Sequence, residues 1–144
     1  MQHFLRSTAC AIVVASFAAC GSVNLSQPAG PAKVADGVLV GANGMTLYVF
    51  DKDEANSGKS ACNGPCATLW PPLMASAGDQ PKGAFSIVTR DDGSRQWAYK
   101  GKPVYFYQAD QKAGDRSGDN FRGVWHVIKE SSAGSASYGG SSSY

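Results

Sequence analysis

Two stretches of this chain repeat one another, and a sequence built twice folds as two related units rather than as an arbitrary string of elements. Gly44-Met45-Thr46-Leu47-Tyr48-Val49-Phe50-Asp51-Lys52-Asp53 returns as Gly101-Lys102-Pro103-Val104-Tyr105-Phe106-Tyr107-Gln108-Ala109-Asp110, and both read Gly-x-x-aliphatic-Tyr-x-aromatic-x-x-Asp. A glycine-containing loop and then a tryptophan follow each copy, Trp70 in the first and Trp125 in the second. The copies run over about 37–73 and 94–129, inside one domain at 33–130. With 144 residues and 15.0 kDa in all, no second full-sized domain fits beside it.

The local chemistry of each copy is β. Val38-Leu39-Val40 and Thr46 to Phe50 flank Asn43-Gly44, a pair suited to a type I′ hairpin turn, and Lys100-Gly101 stands at the same place in the second copy. Phe85 to Arg90 alternates apolar and polar, and Asp91-Asp92-Gly93-Ser94 then turns the chain, which predicts a meander of strands at 85–90, 95–100 and 103–108. Val124 to Lys129 reads as a last strand. The one helix expected is short, after Gly64, with Pro65 in its first turn and Pro71-Pro72 forbidding continuation past Trp70. The fold class is therefore all-β: a small antiparallel sheet, sandwich or barrel-like domain of two degenerate repeats, with one short helix near a cysteine pair.

Strand alternation puts Tyr48 and Phe50 on one face of their strand, and Tyr105 and Tyr107 on one face of theirs. Together with Trp70, Trp97 and Trp125 these rings supply most of a small core, at about 2–3 kcal/mol for each buried ring. Asp53 and Asp110 recur after the strands, where they are expected to accept backbone N–H bonds in matched turns.

The ends differ in kind from the middle. Arg6 precedes an apolar run from Ala9 to Ala19, too short to cross a bilayer core of roughly 30 Å as a helix, so residues 1–19 read as an export signal. The run closes in Phe17-Ala18-Ala19-Cys20-Gly21, which resembles the processing site of bacterial lipoproteins, with Phe17 where that pattern usually has Leu. The resemblance implies an acylated Cys20 as the new N-terminus and a lipid anchor in the cell envelope. Gly21 in place of Asp implies the outer membrane, facing the periplasm or the cell surface. Residues 20–32 then form a tether, and 131–144 a Ser/Gly-rich tail expected to be disordered. Membrane contact is expected through the anchor, with an envelope protein as a further partner. Thirteen Lys+Arg against eleven Asp+Glu, scattered rather than massed, speak against nucleic acid.

The two motifs, with Cys62-x-x-x-Cys66-x-x-x-Trp70-Pro71-Pro72-Leu73, resemble a family of secreted bacterial lipoproteins built from a repeat with a Tyr-x-(Phe/Trp/Tyr)-x-x-Asp motif. The resemblance covers nearly all of residues 36–129. It implies an exported, duplicated domain of unknown function and brings no catalytic residues with it.

Chemistry-bearing clusters are few. With Cys10 in the signal and Cys20 acylated, Cys62 and Cys66 remain as a pair, for which a disulfide is the expectation in an oxidising envelope. The competing reading is thiol redox work or copper binding, because Cys-x3-Cys with a distant histidine resembles the copper site of bacterial copper-delivery proteins. Met74 and His126 would be the further ligands. Against it, the βαβ frame of such sites is missing, and alternation turns His126 to solvent if its neighbour Trp125 is core. The loop opening at Asp51 fails as an EF-hand, because Ala55 and Asn56 stand where a ligand and the glycine belong. Asp115 to Asn120 reads as a hydrogen-bonded turn rather than a cation site. One histidine in the mature domain, and neither a Gly-x-Ser-x-Gly nor a Ser-x-x-Lys pattern, leave no activated nucleophile. No enzyme activity, cofactor or metal is expected, with copper the alternative.

Overall fold

The computed structural model describes residues 30–131. The export signal, Cys20 and all of the Ser/Gly-rich end beyond Ser131 lie outside the described residues. In chain order the elements are β1 (Ala32–Ala35), β2 (Val38–Gly41), β3 (Tyr48–Phe50), α1 (Pro65–Leu69), β4 (Phe85–Thr89), β5 (Arg95–Tyr99), β6 (Lys102–Pro103) and β7 (Trp125–Val127). A short 3-10 turn at Phe121–Gly123 leads into β7. Among the described residues the strands form three small antiparallel sheets, β1-β2, β3-β7 and β4-β5-β6, which do not close into a barrel. The all-β expectation holds, and α1 starts on Pro65 and stops before Trp70, whose N–H reaches back to the Cys66 carbonyl at 2.8 Å.

Three local expectations need correction. The pair of positive φ values that a type I′ turn requires sits at Asp36-Gly37, joining β1 to β2, and at Lys100-Gly101, but not at Asn43-Gly44. There only Gly44 is positive. The Gly44 N–H bonds to Gly41 O and the Gly41 N–H to Met45 O, the pattern of a three-residue loop whose bulge is filled by glycine. The strand expected at 103–108 ends as a ladder at Pro103, because the chain changes partners there. Val104 N–H bonds to Trp97 O within its own repeat, whereas Tyr105, Phe106 and Gln108 bond to Tyr48, Pro71 and Leu69. The last strand is likewise only Trp125–Val127.

That change of partner organises the molecule. Tyr48 N–H donates to Tyr105 O at 2.8 Å and Tyr105 N–H donates to Tyr48 O at 3.0 Å, so the two motif tyrosines are a directly hydrogen-bonded pair. β3, from the first repeat, pairs with β7 of the second, Tyr48 opposite Val127 and Phe50 opposite Trp125. The motif segment of the second repeat pairs in turn with the segment after α1 in the first, through Phe106 N–H to Pro71 O at 2.7 Å and Gln108 N–H to Leu69 O at 2.9 Å. Asp51 N–H to Val124 O at 2.9 Å is the counterpart of that last bond. Each repeat therefore completes the other by the reciprocity that marks a two-fold relation.

Alternation along these strands buries both faces. One cluster gathers Tyr48, Phe50, Trp70, Tyr105 and Trp125, with Cys62 beside them. Leu39, Leu47, Trp97, Val104 and Ile128 form the other. Trp97 thus lies in a separate layer from Trp70 and Trp125, not in one core with them as their composition suggests. Trp70 and Trp125 lie flat on one another, centroids 3.8 Å apart and planes at 3°, one ring from each repeat. Gly118 lets the backbone come this close, because a Cβ there would stand 2.6 Å from the Trp70 ring.

Candidate functional site

The two motif aspartates and tyrosines meet crosswise between repeats. The Tyr48 hydroxyl donates to Asp110 Oδ2 at 2.6 Å, and the Tyr105 hydroxyl donates to Asp53 Oδ2 at 2.6 Å. The other carboxylate oxygens accept backbone bonds, Ala61 N–H to Asp53 Oδ1 at 2.6 Å and Ser117 N–H to Asp110 Oδ1 at 3.0 Å. Each aspartate so ties the turn after its own strand to a tyrosine of the partner repeat. All four residues are buried.

Burial pushes both phenols well above the ordinary tyrosine value of 10.0, and the hydrogen-bonded carboxylates Asp110 and Asp53 push the same way. Burial also raises the Asp53 carboxyl, against the hydrogen bonds from Tyr105 and Ala61 and the charges of Lys102 and Arg90. A raised tyrosine pKa means that the folded chain keeps protons that the unfolded chain releases. This contribution to stability is complete below pH 10.0 and is lost as pH climbs past it toward the folded values. The denaturant midpoint should hold up to that pH and then fall, with phenolate absorbance from Tyr48 and Tyr105 appearing together with unfolding. A fold that stays intact while all its tyrosines ionise near pH 10 would contradict the two buried pairs.

One side of this arrangement carries a group that the sequence reading missed. Arg90, 6% exposed, donates to Ser60 Oγ at 3.0 Å, Gln96 Oε1 at 2.5 Å, Cys62 O at 2.6 Å and Asn63 Oδ1 at 3.1 Å. Ser60 Oγ lies 2.7 Å from the Tyr105 hydroxyl, so Asp53, Tyr105, Ser60 and Arg90 form one continuous buried chain. Gln96 is fully buried and its amide donates to Val104 O at 2.9 Å. A charged residue placed at a strand end just before Asp91-Asp92-Gly93 reads as solvated, and nothing local marks it otherwise.

Cys62 and Cys66 form a disulfide, their Cα atoms 5.2 Å apart across the start of α1. Cys62 is fully buried and Cys66 partly so. Replacing Cys62 with serine should lower stability by roughly 2 kcal/mol, the loop-closure value for so short a ring. Unchanged thermal melting of Cys62→Ser would show that the bridge contributes nothing.

The candidate copper ligands Cys62, Cys66, Met74 and His126 form no shared cluster among the described residues. The two sulfurs are bonded to each other. His126 points from β7 to Asp51, Nε2 to Oδ2 3.0 Å, with its side chain 38% exposed. Met74 is 50% exposed and bridges Gln96. Among the described residues no group of three or more His, Cys, Asp or Glu is placed to hold a metal ion. In the loop from Asp115 to Asn120, Asp115 accepts from Gln111 and Lys112 N–H, and Asp119 from Val127 N–H. Cys20 lies outside the described residues.

The family model Lipoprotein_15, described as a secreted repeat of unknown function, matches residues 30–74 and again 86–129, more than half of the chain. The chain belongs to this family of secreted repeats. No curated protein and no solved structure matches it. Each matched span begins before the copy boundary read from the motifs, so the secreted repeat includes its opening hairpin, β1-β2 in one copy and β4-β5 in the other. As a unit the secreted repeat is hairpin, motif strand, aspartate turn, loop and tryptophan, and two such units interlock through the pairs described above.

Proposed function

We propose that this secreted repeat protein is anchored to the cell envelope, at the outer membrane, by acylation of Cys20, and that its interlocked domain acts by binding or structural support without catalysis. The observation that carries the second part is the use of the recurrent polar residues. Both motif aspartates and both motif tyrosines are consumed in pairing the repeats, and among the described residues no buried side-chain N or O atom lacks a partner. A general acid or base needs a side chain with a free position facing a pocket, and these four have none. The anchoring part rests on the Ala18-Ala19-Cys20-Gly21 sequence and the apolar run before it.

Metabolic labelling with a radioactive fatty acid in a bacterial host tests the anchor. The wild-type chain should take up label and sediment with membranes, and Cys20→Ser should do neither. A freely soluble wild-type product that retains Met1 by intact mass overturns the reading. A thiol-redox or copper-binding role remains the second reading, because Cys66 is partly exposed rather than sealed in the core. Thiol counting on envelope-derived protein, then copper titration after reduction, decides it: a persistent disulfide with no stoichiometric copper uptake removes that reading.

A further inference from the structure

The two repeats are not alike at the surface beside their buried tryptophans. A cleft of about 280 Å³ lies there, lined by Phe50, Leu69, Phe121 and Val124 over the nearly buried Trp70 and Trp125. Leu69, 36% exposed and one of the two exposed large hydrophobic residues among those described, stands on its rim. The cleft also has a charged side made by Lys52 and Arg122, and no acidic residue lines it.

The equivalence of the repeats shows that these cations are not demanded by the fold. By the motif register Lys52 corresponds to Ala109. Cys66 N–H bonds to Asn63 O as Phe121 N–H bonds to Gly118 O, which makes Cys66 the counterpart of Phe121 and Ala67 the counterpart of Arg122. One copy manages with alanine at both places, so the pairing of repeats does not require the charges. Neither cation makes a salt bridge among the described residues. The Arg122 guanidinium is carried over the Phe121 ring at 5.6 Å, at the wall of the cleft. Arg122 also has φ 52, a left-handed conformation that glycine would adopt without strain and that an arginine occupies at a cost.

From these observations we infer that the Trp70–Trp125 cleft is a binding site for a flat, apolar anion, an aromatic carboxylate or a similar ring acid. The ring packs against the more accessible Leu69, Phe121 and Val124 beside the tryptophans, and the acidic group faces Lys52 and Arg122. An apolar pocket with a few convergent polar groups is the usual form of a small-molecule site, and two cations without a salt-bridge partner beside it favour an anionic ligand. The inference rests on the binding reading given above and names its site and ligand class. It does not depend on the lipid anchor, which the Cys20→Ser labelling tests separately.

The experiment titrates the full-length protein with 1-naphthoate and, in parallel, with the neutral 1-naphthalenemethanol, followed by calorimetry and by NMR of the indole N–H resonances. The expected result is one saturable naphthoate site that shifts the Trp70 and Trp125 signals, weakens with added salt, and takes the neutral alcohol at least about tenfold less well. Lys52→Ala and Arg122→Ala, both at exposed positions, should each weaken naphthoate by about threefold to fivefold with little change in the alcohol. Arg122→Gly gives a readout that misfolding cannot mimic, since it should raise the melting temperature while lowering naphthoate affinity. Equal binding of acid and alcohol, affinity indifferent to both charge substitutions, or a naphthoate site lost instead with Lys102→Ala in the separate cleft beside Tyr99 and Ile128 would overturn the inference. Absence of naphthoate binding at millimolar concentration would overturn it as well.

Discussion

Arg90→Met should destabilise the domain by about 3–5 kcal/mol, an effect large enough to unfold a protein of this size at moderate temperature. Methionine fills much the same space, so the loss is one of charge and hydrogen bonds rather than packing. Removing the guanidinium strips donors from Ser60 Oγ, Gln96 Oε1, the Cys62 carbonyl and Asn63 Oδ1 at once. It also withdraws a nearby positive charge from Asp53, whose carboxyl is already raised by burial. Buried acceptors left without a donor cost about 1–3 kcal/mol each, reduced where they relax toward water. Arg90→Lys is the informative companion. A single ammonium cannot reach four acceptors held around a planar fork, so most of the loss should remain although the charge is kept. Urea denaturation measures both, and a midpoint within experimental error of wild type for Arg90→Met would refute the network as a source of stability.

Trp70→Ala is the second large effect, also about 3–5 kcal/mol, the range for truncating a buried aromatic side chain. Trp70 is 1% exposed, stacks on Trp125 at 3.8 Å and on Tyr107 at 4.3 Å, and meets Tyr48 edge-on at 5.3 Å. The more discriminating quantity is its coupling to Trp125→Ala. Because the two rings come from different repeats and touch face to face, the double variant should lose less than the two single losses together, by about 0.5–1.5 kcal/mol. Strict additivity in denaturant titrations would mean that the repeats hold independent cores.

What the sequence made legible was local. Pro65 and Pro71-Pro72 fixed the ends of the only α-helix among the described residues, and the Tyr-x-aromatic spacing placed the motif rings on one face, because both rest on backbone rules that need no knowledge of distant neighbours. Partner choice was a different matter. Tyr48 bonds to Asp110 and Tyr105 to Asp53, and nothing in either motif says that its tyrosine belongs to the other copy's aspartate. The duplication carried that information only as a possibility of symmetry. Asn43-Gly44 misled for a related reason, since a dipeptide that suits a two-residue turn also suits a bulged three-residue one, and the flanking pairs decide between them. Arg90 was hidden more thoroughly. Its burial depends on Ser60, Cys62 and Gln96 converging from two different segments, and a charged side chain at a strand end carries no mark of that convergence. The Lys52 and Arg122 cleft was likewise invisible until the register of the repeats put alanines in their places.

The crosswise pairing has a consequence for how such a molecule comes into being. The first half of the chain by itself still lacks the partners for Tyr48 and for the segment after α1, because these lie at Tyr105 and Asp110 and at Val104, Phe106 and Gln108. It has no complete structure to settle into until the second half arrives, so folding waits on the whole polypeptide and is slow in the manner of distant contacts. A gene carrying a single unit would meet the same need by recruiting a second molecule of itself, each lending its strand and carboxylate to the other. On this view the chain is a dimer made continuous, and cutting it between Met74 and Phe85 should yield two fragments that associate with each other.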